Sequence, residues 1–376
     1  MTYDLVIHGG IVIDPGGGIG GRLDVGLRDG RIAAVEPHLS LTDAVDEVDA
    51  ADLLVVPGLV DLHVHVYWGV ADLSIMPGPN DLQRGVTTMV DAGSAGANTF
   101  PGFRRFIIEP FAGSILAFLN ISAMGQIDPD LGELHDLRYA LVDRAVEVAR
   151  QHPDLIVGLK VRVSEMLAGA NGLVGLERAV EAATEIGCPV MVHIGGSVAP
   201  IEDILGLLRG GDIVTHAFTA WEPGIFDSAM RVVPGALEAR ARGVRFDVGH
   251  GAGSFAFGRG LAALEQGFGP DTISSDLHRF NVDGPVFDLL TTVSKFLHLG
   301  LSLTDVIGMV TSAPAAAIGR VGTLGTLAVG AIADVAVLRL EEGRFTFTDS
   351  REATVEARQR LVPVATYRAG RRVARS

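Results

Sequence analysis

Pro57-Gly58-Leu59-Val60-Asp61-Leu62-His63-Val64-His65 is an apolar run that closes on two histidines one residue apart. In extended backbone, residues two apart project to the same side, so His63 and His65 can reach one metal ion together. Alone the pair says little, because two histidines on one strand face are often merely packed or solvated. Its weight comes from the polar residues that close later apolar runs.

From this run to residue 278 the sequence alternates. Short apolar runs rich in Val and Ile cover Asp61–Val66, Thr87–Asp91, Ile115–Ser122, Ile156–Val163, Pro189–Ile194, Asp212–Ala217, Val244–Val248 and Asp271–Ser275. Most are separated by segments of helical periodicity, such as Leu141-Val142 with Ala145-Val146 and Val148-Ala149, or Leu176 with Ala179-Val180 and Ala183. Strands buried on both faces read as continuous apolar runs, and parallel neighbours need a crossover between them. Eight such units predict an α/β fold, a (β/α)8 TIM barrel. A doubly wound open sheet would alternate in the same way, and the polar residues decide between the two.

Lys160 sits in Ile156-Val157-Gly158-Leu159-Lys160-Val161-Arg162-Val163, where a lone ammonium is expensive to bury. It has two readings. One is a buried ion pair or a lysine snorkelling out of the barrel end. The other is an amine deprotonated by its surroundings and carbamylated by CO₂, whose new carboxylate bridges two metals. His193 closes the fifth apolar run, His216 the sixth, and Asp276 comes directly after the eighth. The carboxyl ends of barrel strands converge on one rim, where active sites are built. His63, His65, Lys160, His193, His216 and Asp276 all fall on that rim, and packing alone is a poor explanation of the whole set. An open sheet would not gather them.

The ends of the chain read differently. Leu5 to Ile13, Asp24 to Leu27 and Arg31 to Val35 are short strands broken at Pro15-Gly16-Gly17-Gly18 and Asp29-Gly30. Val335 to Leu340, Arg344 to Thr348, Leu361 to Tyr367 and Arg371-Arg372-Val373 repeat that style. The expected organisation is a small β-sandwich formed by both termini, residues 1–56 and 322–376, around a barrel of residues 57–321. Gly16-Gly17-Gly18-Ile19-Gly20-Gly21 satisfies GxGxxG, but Asp24-Val25-Gly26-Leu27 continues it as a strand where a dinucleotide site needs a helix.

Composition narrows the partners. With 48% apolar and 20% charged residues, 376 residues can bury a large core. A net charge of −15 disfavours nucleic acid and anionic membranes. Cys188 is the sole cysteine, so no intramolecular disulfide forms, and its apolar setting reads as a packed thiol. Neither a signal peptide nor a membrane-length apolar run is evident. The expectation is a soluble cytoplasmic protein acting on a small molecule, with a homo-oligomer allowed.

The order HxH, Lys, His, His, Asp along the barrel strands resembles the amidohydrolase superfamily, which includes dihydroorotases, hydantoinases and N-acyl-amino-acid deacetylases. The resemblance spans nearly the whole chain. In that family the HxH pair and the Asp hold one metal, the two later histidines the other, and a carbamylated Lys bridges them. His65-Val66-Tyr67-Trp68-Gly69, Asp91-Ala92-Gly93-Ser94-Ala95-Gly96 and Asp247-Val248-Gly249-His250-Gly251-Ala252-Gly253-Ser254-Phe255 resemble more closely a dihydroorotase-like deacetylase branch, whose activities include acetyl-mandelate ester hydrolysis. Dihydroorotases carry an Arg two residues after the HxH pair for the substrate carboxylate; Tyr67 stands there.

These readings imply a binuclear hydrolase of acyl amides or esters, with Asp276 as ligand and proton shuttle. Zinc suits the mixed imidazole and carboxylate set, with manganese or cobalt as substitutes. Arg162, on the same strand face as Lys160, is a candidate grip for a substrate carboxylate or else an outward salt bridge. Tyr67, His250 and His278 are further candidate substrate contacts at the rim. The alternatives are a cyclic amidohydrolase of dihydroorotase or hydantoinase type, a metal-dependent deaminase, and a non-catalytic scaffold. Lys160 argues against the mononuclear deaminase pattern, and the complete ligand set against the scaffold.

Overall fold

The structure, a computed structural model, describes residues 2–78 and 82–374. The outermost ends of the expected small domain, Met1, Arg375 and Ser376, lie outside the described residues. The chain begins with β1 (Tyr3–His8), β2 (Ile11–Asp14), β3 (Ile19–Arg22), β4 (Asp24–Arg28), β5 (Arg31–Glu36), β6 (Ala44–Asp49) and β7 (Leu54–Pro57). The central strands are β8 (Leu59–Val64), β9 (Val86–Gly96), β10 (Ser114–Asn120), β11 (Ile156–Arg162), β12 (Val190–His193), β13 (Ile213–Thr215) and β14 (Arg245–Phe246). A long hairpin, β15 (Val335–Thr348) and β16 (Thr354–Arg368), and the short β17 (Arg371–Arg372) complete the chain.

The two termini meet in β-structure. One sheet runs β5-β4-β1-β6 and the other β17-β16-β15-β7-β2-β3. In the second, β7 pairs antiparallel with β15, from Val335↔Pro57 to Leu338↔Leu54, and parallel with β2. Leu5, Ile7, Val25, Val55, Val335 and Tyr367 pack between the sheets. The expected single strand Leu5–Ile13 is two strands in different sheets. The chain turns at Gly9, whose φ is 74°, and Gly10, where a Cβ would lie 2.6 Å from Val55.

The central strands are parallel and neighbour one another in chain order, β8 through β14, with helices such as Val142–Gln151 and Gly172–Ile186 between them. Val60, Leu62, Val90, Phe118, Met191 and Ile213 form one cluster that plugs the bore. His63 falls within the register shift between Asp61 and Val64, and His65 follows it.

The eighth run corrects the sequence reading. Asp271–Ser275 forms no continuous strand; it closes the barrel through single bridges, Asp247↔Thr272 on the β14 side and Val64↔Leu277 on the β8 side. Backbone bonds from Val248 to Thr272 (3.1 Å) and from Asp276 to His63 (2.7 Å) complete the seam. The ladder fails here because side chains take its hydrogen bonds. Asp61 accepts from the Ser275 amide at 3.0 Å, and Asp276 then adopts a φ of 48°.

Candidate metal centre

His63, His65, Lys160, His193, His216 and Asp276 line a single cavity of about 150 Å³, with Arg162, His278, Leu73 and the loop residues Ala252, Gly253 and Ser254. Asp276 Oδ1 is 3.1 Å from His65 Nε2 and 3.4 Å from His63 Nε2. Lys160 Nζ is 3.5 Å from His63 Nε2. The His193 and His216 rings lie 4.4 Å apart and the His63 and His216 rings 5.1 Å, centre to centre. His63, His216 and Asp276 each offer a ligand atom, all within 4.8 Å of one another.

The backbone is arranged to permit this crowding. His216 (φ 67°) and Asp276 (φ 48°) are non-glycine residues in left-handed conformation, a strain of about 1–3 kcal/mol each that concentrates at functional sites. Gly93 lets the neighbouring strand approach: a Cβ there would stand 2.6 Å from the Lys160 side chain. Gly251 does the same for Asp276, since its Cβ would stand 2.4 Å from Oδ2.

Hydrogen bonds behind the cavity fix the histidine tautomers. Thr215 gives its only hydroxyl hydrogen to Asp247 (2.8 Å) and so accepts from His63 Nδ1 at 2.9 Å. His216 Nδ1 donates to the Gly249 carbonyl at 2.7 Å, and His65 Nδ1 meets Ser94 Oγ at 3.0 Å. For His63 and His216 this leaves Nε2 unprotonated and turned into the cavity. Burial holds His63, His65 and His193 well below the usual imidazole range and His216 at about 4, so the rings are neutral near pH 7. Burial also pushes the Lys160 ammonium down to about 7. Asp276 Oδ1 is buried yet has no hydrogen-bond donor. Neutral imidazoles aimed at an orphaned carboxylate oxygen fit divalent cations chemically.

The further candidates divide. Arg162 lines the cavity, and its Nε donates to Glu133, itself buried and also held by Asn120 Nδ2 at 2.8 Å. It is thus an inward ion pair rather than an outward salt bridge. His278 lines the cavity with its ring 6.3 Å from that of His65. Tyr67 does not reach it: its hydroxyl donates to the Thr99 carbonyl at 2.9 Å and its ring packs on Phe103. His250 is likewise turned away, with Nδ1 on the Gly251 carbonyl (2.9 Å) and Nε2 on Lys295 Nζ (2.7 Å). Both were expected as substrate contacts from their position along the chain, and neither side chain lines this cavity. The sequence reading assigned no role to Asp91, Ser94, Thr215, Asp247 or Glu133, although a carboxylate closing an apolar run, as at Asp91 and Asp247, is a visible signal.

Residues 291–374 match the amidohydrolase family. A deacetylase of Agrobacterium fabrum is 38% identical over 323 residues, 86% of this chain and 79% of that protein. A solved structure described as a dihydroorotase superimposes with a TM-score of 0.90 at 35% identity, over 99% of this chain and 98% of that one. Another, described as an adenine deaminase, gives 0.92 at 32% identity, over 98% and 99%.

Proposed function

This chain belongs to the amidohydrolase family and is a metal-dependent hydrolase, and on that premise we propose that it removes the acyl group of a small, carboxylate-bearing ester or amide. The observation that carries the reading is the buried, donorless Asp276 Oδ1, faced by His63 and His65 in a cavity also lined by His193, His216 and Lys160. In this reading residues 57–321 carry the chemistry, and 1–56 with 322–376 support it.

His63, His65 and Asp276 would hold one divalent ion, His193 and His216 a second, with a carbamylated Lys160 between them. Zinc suits this donor set best. A lysine brought to about 7 by burial has a neutral amine available to CO₂ at physiological pH. Such ions supply an activated water and polarise the scissile carbonyl. Asp276 Oδ1 faces the two Nε2 atoms, which leaves Oδ2 to take the proton of the attacking water and hand it to the departing oxygen or nitrogen. Arg162 and His278, on the cavity wall, orient the substrate; Arg162 keeps Nη1 for a carboxylate while Glu133 holds its other edge.

Deacetylation is favoured over ring opening by the fate of Tyr67. A dihydroorotase places an Arg at this position, whereas Tyr67 is fastened to Thr99 outside the cavity. The Agrobacterium relative is also named a deacetylase. Cyclic amide hydrolysis is the second reading, supported by the likeness to the dihydroorotase structure. The test compares the metal-loaded enzyme on N-acetyl and O-acetyl acids, dihydroorotate and adenine. Deacetylation is the expected outcome; efficient opening of dihydroorotate with no deacetylation would overturn it.

A further inference from the structure

Lys295 lies in the helix Leu289–His298, fully buried, with no carboxylate within ion-pair distance among the described residues. Burying an ammonium without an ion pair is costly, and burial pulls this one down to about 7 against the more distant charges of Asp349 and Asp288. Its three hydrogens are all accepted: by His250 Nε2 at 2.7 Å, by the Pro285 carbonyl at 2.8 Å and by the Thr348 carbonyl at 2.8 Å. Those acceptors belong to three separate parts of the chain. His250 opens the loop whose Ala252, Gly253 and Ser254 wall the cavity, and Thr348 ends β15 at the tip of the C-terminal hairpin.

The hairpin tip grips the same loop a second time. Ser350 Oγ reaches the Gly251 carbonyl at 3.0 Å and accepts from the Phe255 amide at 3.3 Å. The Phe257 amide donates to Asp349 Oδ2 at 2.9 Å. Directly after His250, Gly251 lies so close to Asp276 that a Cβ would stand 2.4 Å from Oδ2. A continuous set of contacts therefore runs from the hairpin through Lys295 and His250 to the carboxylate in the cavity.

We infer that Lys295 is a positioning residue: with the hairpin tip at Thr348–Ser350 it holds the 250–254 loop against Asp276 and so sets that carboxylate's place in the site. Nothing in the hydrolytic step needs a second buried lysine, and packing alone would be served better by an apolar side chain. The kinetic part of the test rests on the function proposed above and the spectral part on the metal ligands proposed with it; the exchange part rests on neither.

The test uses the full chain, loaded with cobalt, as wild type, Lys295→Met and Ser350→Ala. In both variants amide exchange over residues 249–257 should quicken by about tenfold or more while the β8–β11 amides keep their protection. The visible absorption of the bound cobalt should change, because Asp276 shifts. With an accepted substrate, kcat should fall about 10-fold to 100-fold at nearly constant KM. Should Lys295→Met fail to fold, Ser350→Ala decides alone. Wild-type exchange, or faster exchange with an unaltered cobalt spectrum, would overturn the inference. Failure to find any substrate would count against the proposed function and leave the exchange and spectral results to judge Lys295.

Discussion

The rim of the barrel is built in two ways. From β8 to β13, cavity residues stand at or near the ends of strands paired in parallel ladders: His65 one residue beyond β8, Lys160 within β11, His193 closing β12. From Asp247 to His278 the chain makes only single bridges, and Gly249, Gly251 and Asp276 all have positive φ. There side-chain hydrogen bonds reinforce a few scattered backbone ones. Asp247 accepts from Thr215, Thr272 and Ser274, and Asp61 from Ser275. A regular sheet fixes ligand positions by backbone geometry and tolerates change beside them. The seam fixes Asp276 through hydrogen bonds, so substitutions there reach the chemistry directly.

The sharpest way to break this contrast is Asp276→Asn. Removing the seam's carboxylate should lower kcat by more than about 10⁴-fold, since proton transfer and metal placement fail together. Near-normal turnover with metal retained would leave the seam without a chemical role. On the strand side, Arg162→Met should lower kcat/KM by an amount equivalent to about 2–5 kcal/mol. Because that change also strands Glu133, the double variant with Glu133→Gln separates lost substrate contact from lost stability; recovery of kcat/KM in it would deny Arg162 a substrate role.

Thr215→Val probes the link between the halves, because Thr215 passes Asp247's hold to His63. Metal affinity, read by chelator competition, should weaken about 10-fold to 100-fold with the fold intact. Unchanged affinity would mean that strand geometry alone orients His63. The smallest effect is expected from Tyr67→Phe, which loses the bond to Thr99 outside the cavity. Stability should drop by about 1 kcal/mol with kcat within a few fold of wild type; a large loss of kcat would return Tyr67 to the site.

The same division explains what could be read from the sequence. Val- and Ile-rich runs ending in His or Lys announce regular buried strands, so β8 and β11–β13 and the residues at their ends were legible. Both chain termini showed their strand character, and β15 pairs with β7 as that pattern implied. The seam was not legible as structure, because Thr272, Ser274 and Ser275 look like a strand until their side chains are seen to bond Asp247 and Asp61. Tyr67 and His250 failed for a related reason. A rim position can be counted along the chain, but the direction of a side chain depends on partners such as Thr99 and Lys295 that lie far away in sequence.

The proposal most in need of a direct test is that His63, His65, Lys160, His193, His216 and Asp276 form one site for two metals joined through Lys160. Native mass spectrometry of the purified chain, combined with metal analysis, tests it most directly. Wild-type protein should carry close to two equivalents of divalent metal and a single carboxyl group on Lys160. Lys160→Ala should lose metal and regain part of its activity with short carboxylic acids. One tightly bound metal beside an unmodified Lys160 would contradict the account.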